Sequence, residues 1–325
     1  MINPLIIVRD IHLASSVMVA GIIFFDLLVA SPVLRNEPGS KAESSFRGAA
    51  GRLLWASLAL SIISALAWLG LLSARIADKT VADVVIDGTA WMVLTQTQFG
   101  FAWQIRLLLA CLLAACLLLR RKPYEAPAAT WLLVAASLLA GAYLGALAFA
   151  GHGAEGLGSD QNIHLAADIL HLNAAGLWLG ALVPLALLLV HLRRSHGENW
   201  VVAAAAAGGR FSTLGILAVG ILLVSGTINA AFLLGGMHSL IDTVYGRLLL
   251  LKIALFAAMV SLAAINRQRL LPRLSVSSGV DLASRSVDQL VRSTLAEIAL
   301  GVAIILVVGL LGIMPPANEI AAHLH

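Results

Sequence analysis

His164, Asp168 and His171 follow one another at i, i+4 and i+7 in a single apolar stretch, a stripe two turns long on one helical face. Imidazole nitrogen and carboxylate oxygen suit a borderline divalent cation. Copper binds such mixed sites most tightly, and thioether sulfur extends the preference to Cu(I). An ionisable group inside a membrane-spanning segment costs free energy, so its presence there raises the odds of function. His12, in the first apolar run, is a fourth candidate ligand. Weaker ones are Met237 beside His238, Met314 at the end of the last apolar run, and His323 and His325 in the tail. Simpler roles compete. His12 can be a core histidine bonded to a backbone carbonyl, Asp168 can pair with Arg106 or Lys252, and His323 and His325 can be solvated ends.

The elements that must position these groups are membrane helices. Of the 325 residues 60% are hydrophobic and 12% charged, against about 45–50% and about 25% in soluble domains. A span needs ~20 apolar residues, and eight candidates occur, at roughly 5–33, 51–74, 101–119, 130–150, 163–191, 210–234, 246–266 and 290–314. The first carries Arg9 and Asp10, lacks a cleavage site and reads as a retained span rather than a signal peptide. The expected fold is all-α, a polytopic membrane protein with two parallel four-helix repeats.

Basic residues alternate between connections. Arg35, Lys41, Arg47 and Arg52 fill the first, Arg120, Arg121 and Lys122 the third, Arg193, Arg194 and Arg210 the fifth, and Arg267, Arg269, Arg273, Arg285 and Arg292 the seventh. Residues 151–162, 235–245 and the tail beyond Met314 have none. Positive connections stay in the cytoplasm, so both termini are expected in the periplasm and the net charge of +4 reflects insertion into a lipid bilayer, not a nucleic-acid partner. The connection 75–100 is expected to hold a short interfacial helix around Trp91 and Met92. Trp103 and Trp131 fall near span ends, where indoles sit at headgroup level.

The halves resemble each other. His12 precedes Gly21 as His171 precedes Gly180, Arg52 opens the second span as Arg210 opens the sixth, and Thr97 precedes Arg106 as Thr243 precedes Lys252. Four spans per unit give both the same orientation, so the expected units are 1–150 and 151–325, related by an axis along the membrane normal, with a site shared between them. Asp26 and Glu297 lie toward the cytoplasmic side. Glu297 is expected in an interhelical hydrogen bond, and Asp26 is open to an exit route, proton coupling or such a bond. Cys111 and Cys116 sit five apart and form no metal or disulfide motif. Neither a Walker A loop nor a zinc-protease or serine-hydrolase signature occurs. The chain is not expected to be an enzyme, a membrane oxidoreductase being the runner-up.

The run Asp168-x-x-His171-Leu172 continuing to Trp178-Leu179-Gly180 resembles the signature of the CopD (PcoD) copper-resistance membrane proteins. So do Ser225-Gly226-x-x-Asn229-Ala230, the segment from Tyr245 to Lys252, and Met314-Pro315-Pro316. The likeness is strongest over about 160–316. In the first half it rests on the span layout and the Thr97–Arg106 segment. It implies copper handling at the bacterial cell inner membrane, inward movement of the ion, and a separate periplasmic donor of the CopC type. His171 and Asp168 carry over directly from the signature. Copper would pass between the two four-helix units. The alternatives are a haem-binding electron-transfer protein with His12 and His171 as axial ligands, and a non-transporting copper sensor or assembly factor.

Overall fold

A computed structural model describes residues 3–35, 39–120, 126–150, 159–195, 197, 199–234, 236, 238–276 and 280–315. Met237, His323 and His325 lie outside the described residues. Among those described there is no strand, and eight helices are long and apolar enough to cross a membrane. They are α1 (Pro4–Leu34), α2 (Lys41–Ala77), α5 (Gln98–Leu119), α6 (Pro127–Ala150), α7 (Asp160–Ser195), α8 (Trp200–Leu234), α10 (Val244–Leu274) and α11 (Asp281–Leu311). Three short helices, α3 (Val81–Ile86), α4 (Thr89–Gln96) and α9 (Ser239–Asp242), lie in the connections. The chain is an all-α polytopic membrane protein.

Local chemistry fixes the helix starts. Asn3 accepts from the Leu5 amide ahead of Pro4, Ser40 accepts from the Glu43 amide, and Thr80 and Asp83 form a reciprocal capping box. Asp78 ends α2 in the left-handed region at φ 51°. Thr97 and Thr243 cap α5 and α10 identically. Each hydroxyl accepts from the amide three residues on, Gly100 at 3.0 Å and Gly246 at 2.9 Å, and donates to the carbonyl four residues back at 2.6 Å.

Four of the helices run well past the expected spans. α2 begins at Lys41, α8 at Trp200 and α11 at Asp281, and α10 continues to Leu274, so Arg47, Arg267, Arg269, Arg273 and Arg285 ride on helices rather than in loops. A helix needs no loop where the bilayer ends; its basic residues simply enter water. Connection 75–100 holds two short helices in place of one, with Trp91 and Met92 exposed. Lys79, 2.7 Å from Asp87, holds that exposed carboxyl below the usual carboxylate range by a side-chain hydrogen bond.

Packing is uneven. The spans of α1 and α7 are each 61% buried inside the bundle, whereas that of α10 is 6% buried. The first helix of each half is therefore central, and the two cross at Gly21 and Gly180. A Cβ on Gly21 would fall within the Gly180 backbone, and one on Gly180 would lie 3.0 Å from Gly21 Cα. Such backbone-to-backbone contact needs glycine on both sides.

Candidate metal-binding cavity

Away from the Arg-rich end, a cavity of about 260 Å³ opens between α1, α7, α8, α10 and α11, with the end of α6 and Trp68 of α2 completing its wall. Its wall includes His12, His164, Asp168, His171 and Lys252, so four of the expected ligands line one space. Arg9 and Asp10 reach across it from α1 to α11, where Gly312 and Gly309 leave room for them. The Arg9 guanidinium bonds to the Gly312 carbonyl and lies 4.9 Å above the Trp68 ring.

The two histidines of the matched pair are held by the same device. Ser225 on α8 donates its only proton to the Ile221 carbonyl at 2.6 Å, so its oxygen must accept from His171 Nδ1 at 3.0 Å. Nδ1 therefore carries the imidazole proton, and the Nε2 lone pair has no partner among the described residues. Gly226 lies beside the ring, where a Cβ would sit 3.4 Å from it. In the first half Ser64 donates to the Leu60 carbonyl at 2.7 Å and lies 3.1 Å from His12 Nδ1, which also meets the Ser61 carbonyl at 2.9 Å. Proton placement is the same, but the outcome differs. Arg106 Nη2 lies 2.8 Å from His12 Nε2 and occupies the lone pair that stays open on His171.

Among the described residues Arg106 has no carboxylate partner. It also donates to the Tyr143 carbonyl and, at 3.2 Å, to Ser16 Oγ, with its guanidinium 4.2 Å from the Tyr143 ring and 5.2 Å from the Trp103 ring. Trp103 is thus not an interfacial indole as its position suggested. It is 3% exposed and packs edge-on against His12 and Trp68, while Trp131 is 72% exposed.

Asp168 Oδ1 accepts from Asn229 Nδ2 at 2.5 Å and faces the Lys252 ammonium electrostatically, so α8 and α10 both contribute to its surroundings. Of its two candidate basic neighbours, Arg106 is bound to His12 instead. His164 stacks on Phe232 with centroids 4.9 Å apart. His238 is exposed at the start of α9 and Met314 packs against a small cluster around Leu311; neither lines the cavity. Among the described residues no three His, Cys, Asp or Glu gather closely enough to hold a metal ion together. Ser225 and Asn229 belong to the motifs that carried the family resemblance, yet their roles as holders of His171 and Asp168 emerge only from contacts between helices.

The chain matches the family model of copper resistance protein D over residues 205–311 and that of the copper resistance protein D-like N-terminal domain over residues 1–163. It is 33% identical over 267 residues to copper resistance protein D of Pseudomonas syringae pv. tomato, covering 79% of this chain and 84% of the relative. The chain belongs to the copper resistance protein D family. It is also 30% identical to inner membrane protein YebZ of Escherichia coli (strain K12) over 317 residues, 96% of this chain and 98% of the relative. Copper transport protein CutJ of Bacillus subtilis (strain 168) is 32% identical over 176 residues, 54% of this chain and 29% of the relative. No solved structure matches significantly. The first half, which offered little beyond its span layout, matches as well as the second.

Proposed function

We propose that this chain handles copper in the bacterial inner membrane, taking the ion from the periplasmic side at the cavity between α1, α7, α8, α10 and α11 and moving it toward the cytoplasm. One observation carries the reading. His171 presents an unprotonated Nε2 to a cavity wall that also holds Asp168, with Ser225 fixing the tautomer. A metal-ligating histidine whose other nitrogen donates to a held oxygen is oriented for its task. Copper here is cargo, and the sparse donor set fits a site that must release what it binds. Further donors are His164 on the same wall, and His12 once Arg106 withdraws from its Nε2. A delivering protein of the CopC type, as a separate chain, would supply others. The family names copper in two of the relatives.

The test is metal analysis of the purified protein. Wild type is expected to retain copper, His171→Ala to lose most of it, and Asp168→Asn to retain a reduced amount. Unchanged copper in both variants removes those residues from the site. Uptake into proteoliposomes then separates carriage from mere binding, since a sensor or assembly factor binds without flux.

A further inference from the structure

A second cavity, of about 370 Å³, lies toward the Arg-rich end, and α7, α8, α10 and α11 wall this one too. On its wall Asn266 of α10 meets Glu297 of α11, the amide 7% and the carboxyl 2% exposed. Asn266 Nδ2 donates to Glu297 Oε1 at 2.5 Å. The two remaining oxygens, Asn266 Oδ1 and Glu297 Oε2, are buried with no hydrogen-bond partner.

An ionised carboxylate and an amide oxygen only accept, so an anionic Glu297 leaves two neighbouring buried acceptors facing no donor. That arrangement is expensive in a protein interior, and more so in a membrane bundle. A single proton on Oε2 resolves both deficits. The acid O–H then donates to Asn266 Oδ1 while Asn266 Nδ2 donates to Oε1, the paired edge that a carboxylic acid and an amide form. The negative charge disappears with the same step.

Among the described residues no side chain donates to either oxygen. No Lys, Arg or His among the described residues bonds to Glu297. Arg267, the other charged side chain on this wall, follows Asn266 on α10 and donates to Ser212 Oγ at 3.0 Å. From α11 itself Thr294 spends its hydroxyl proton on the Leu290 carbonyl at 2.9 Å. α7 contributes Trp178 and Leu185, and α8 contributes Phe211, Ser212 and Gly215, none of them titratable at neutral pH.

We propose that Glu297 binds a proton and shares it with Asn266, forming a proton-binding site on the second cavity. Losing that proton breaks one of the two bonds joining the side chains and leaves a charge that must hydrate. Proton occupancy therefore governs how α10 sits on α11. The same two helices contribute Lys252, Gly309 and Gly312 to the copper cavity, so the proton site is built into the elements that carry Lys252 beside Asp168.

Infrared spectroscopy of the full chain in lipid nanodiscs at neutral pH tests this directly. Wild type minus Glu297→Gln is expected to show the C=O stretch of a protonated carboxylic acid, with the variant as thermally stable as wild type because a glutamine amide reproduces the donor and acceptor edge. Loss of a carboxylate band in its place overturns the proposal. Asn266→Leu keeps the acid but removes its partner, so the C=O band is expected to move to the frequency of an unbonded acid; an unmoved band also overturns the proposal. Copper content of Glu297→Gln is expected to equal that of wild type, which separates failure here from failure of the copper reading.

Discussion

A histidine ligates through whichever nitrogen lacks the proton, and at position 171 one serine makes that choice. Ser225 has a single proton, committed to the Ile221 carbonyl, and so can only accept from His171 Nδ1. Ser225→Ala is expected to let the ring sample both tautomers and to weaken copper binding about tenfold, the lower end of what losing such an orienting partner costs. Ser225→Thr keeps the hydroxyl and is expected to stay near wild type. Competition against a chelator of known affinity measures both, and an alanine variant with undiminished affinity would mean that Ser225 does not set the tautomer. His12 shows how the same device serves a different end. With Arg106 on its Nε2 and two tryptophans against its ring, it locks α1, α2 and α5 together.

At the scale of elements, the crossing of α1 and α7 at Gly21 and Gly180 holds the centre of the bundle. A methyl on Gly180 would meet the Val17 carbonyl, so Gly180→Ala must force the helices apart. Overpacking of this kind costs about 1–3 kcal/mol, visible as a lower melting temperature in detergent. Gly215→Ala is the matched control, since a Cβ there lies 3.8 Å from Trp178 Nε1 in ordinary contact; equal loss in both variants would remove the crossing as the cause. The same crossing bears on the expected passage of copper between the two units. Backbone meets backbone at that one crossing, while the cavity that holds His171 takes its wall from both halves of the chain, α1 together with α7, α8, α10 and α11. Much of this layer was legible in the sequence, because runs of ~20 apolar residues and alternating basic clusters are direct consequences of the bilayer. The ends of α2, α8, α10 and α11 were not, because arginines on a helix emerging into water read like arginines in a loop. His171 and Asp168 were legible as ionisable groups in an apolar run. Their holders were not, since Ser225 and Asn229 reach them across 54 and 61 residues of chain. Arg106 was as compatible with Asp168 as with His12 until the helices were placed.

For the whole molecule the question is which side of the membrane the copper cavity opens to, because direction of movement follows from it. Asp26, near the far end of α1 from that cavity, accepts from Arg47 at 3.2 Å and Arg120 at 2.5 Å, and Arg193 pairs with Asp288 at the same end. Arginines clustered there are expected on the cytoplasmic side, which would turn the cavity with His171 toward the periplasm. Replacing Cys111 and Cys116 by serine gives a background for single-cysteine labelling, as these are the chain's two cysteines. Gln96→Cys, exposed at the end of α4, is expected to react in intact cells with a maleimide that cannot cross the membrane. Lys41→Cys, exposed at the start of α2, is expected to react only after permeabilisation. The opposite pattern would open the proposed copper cavity to the cytoplasm and overturn the proposed capture of copper from the periplasm. The proton site at Glu297 would then face the periplasm, and any coupling to the membrane proton gradient would reverse with it.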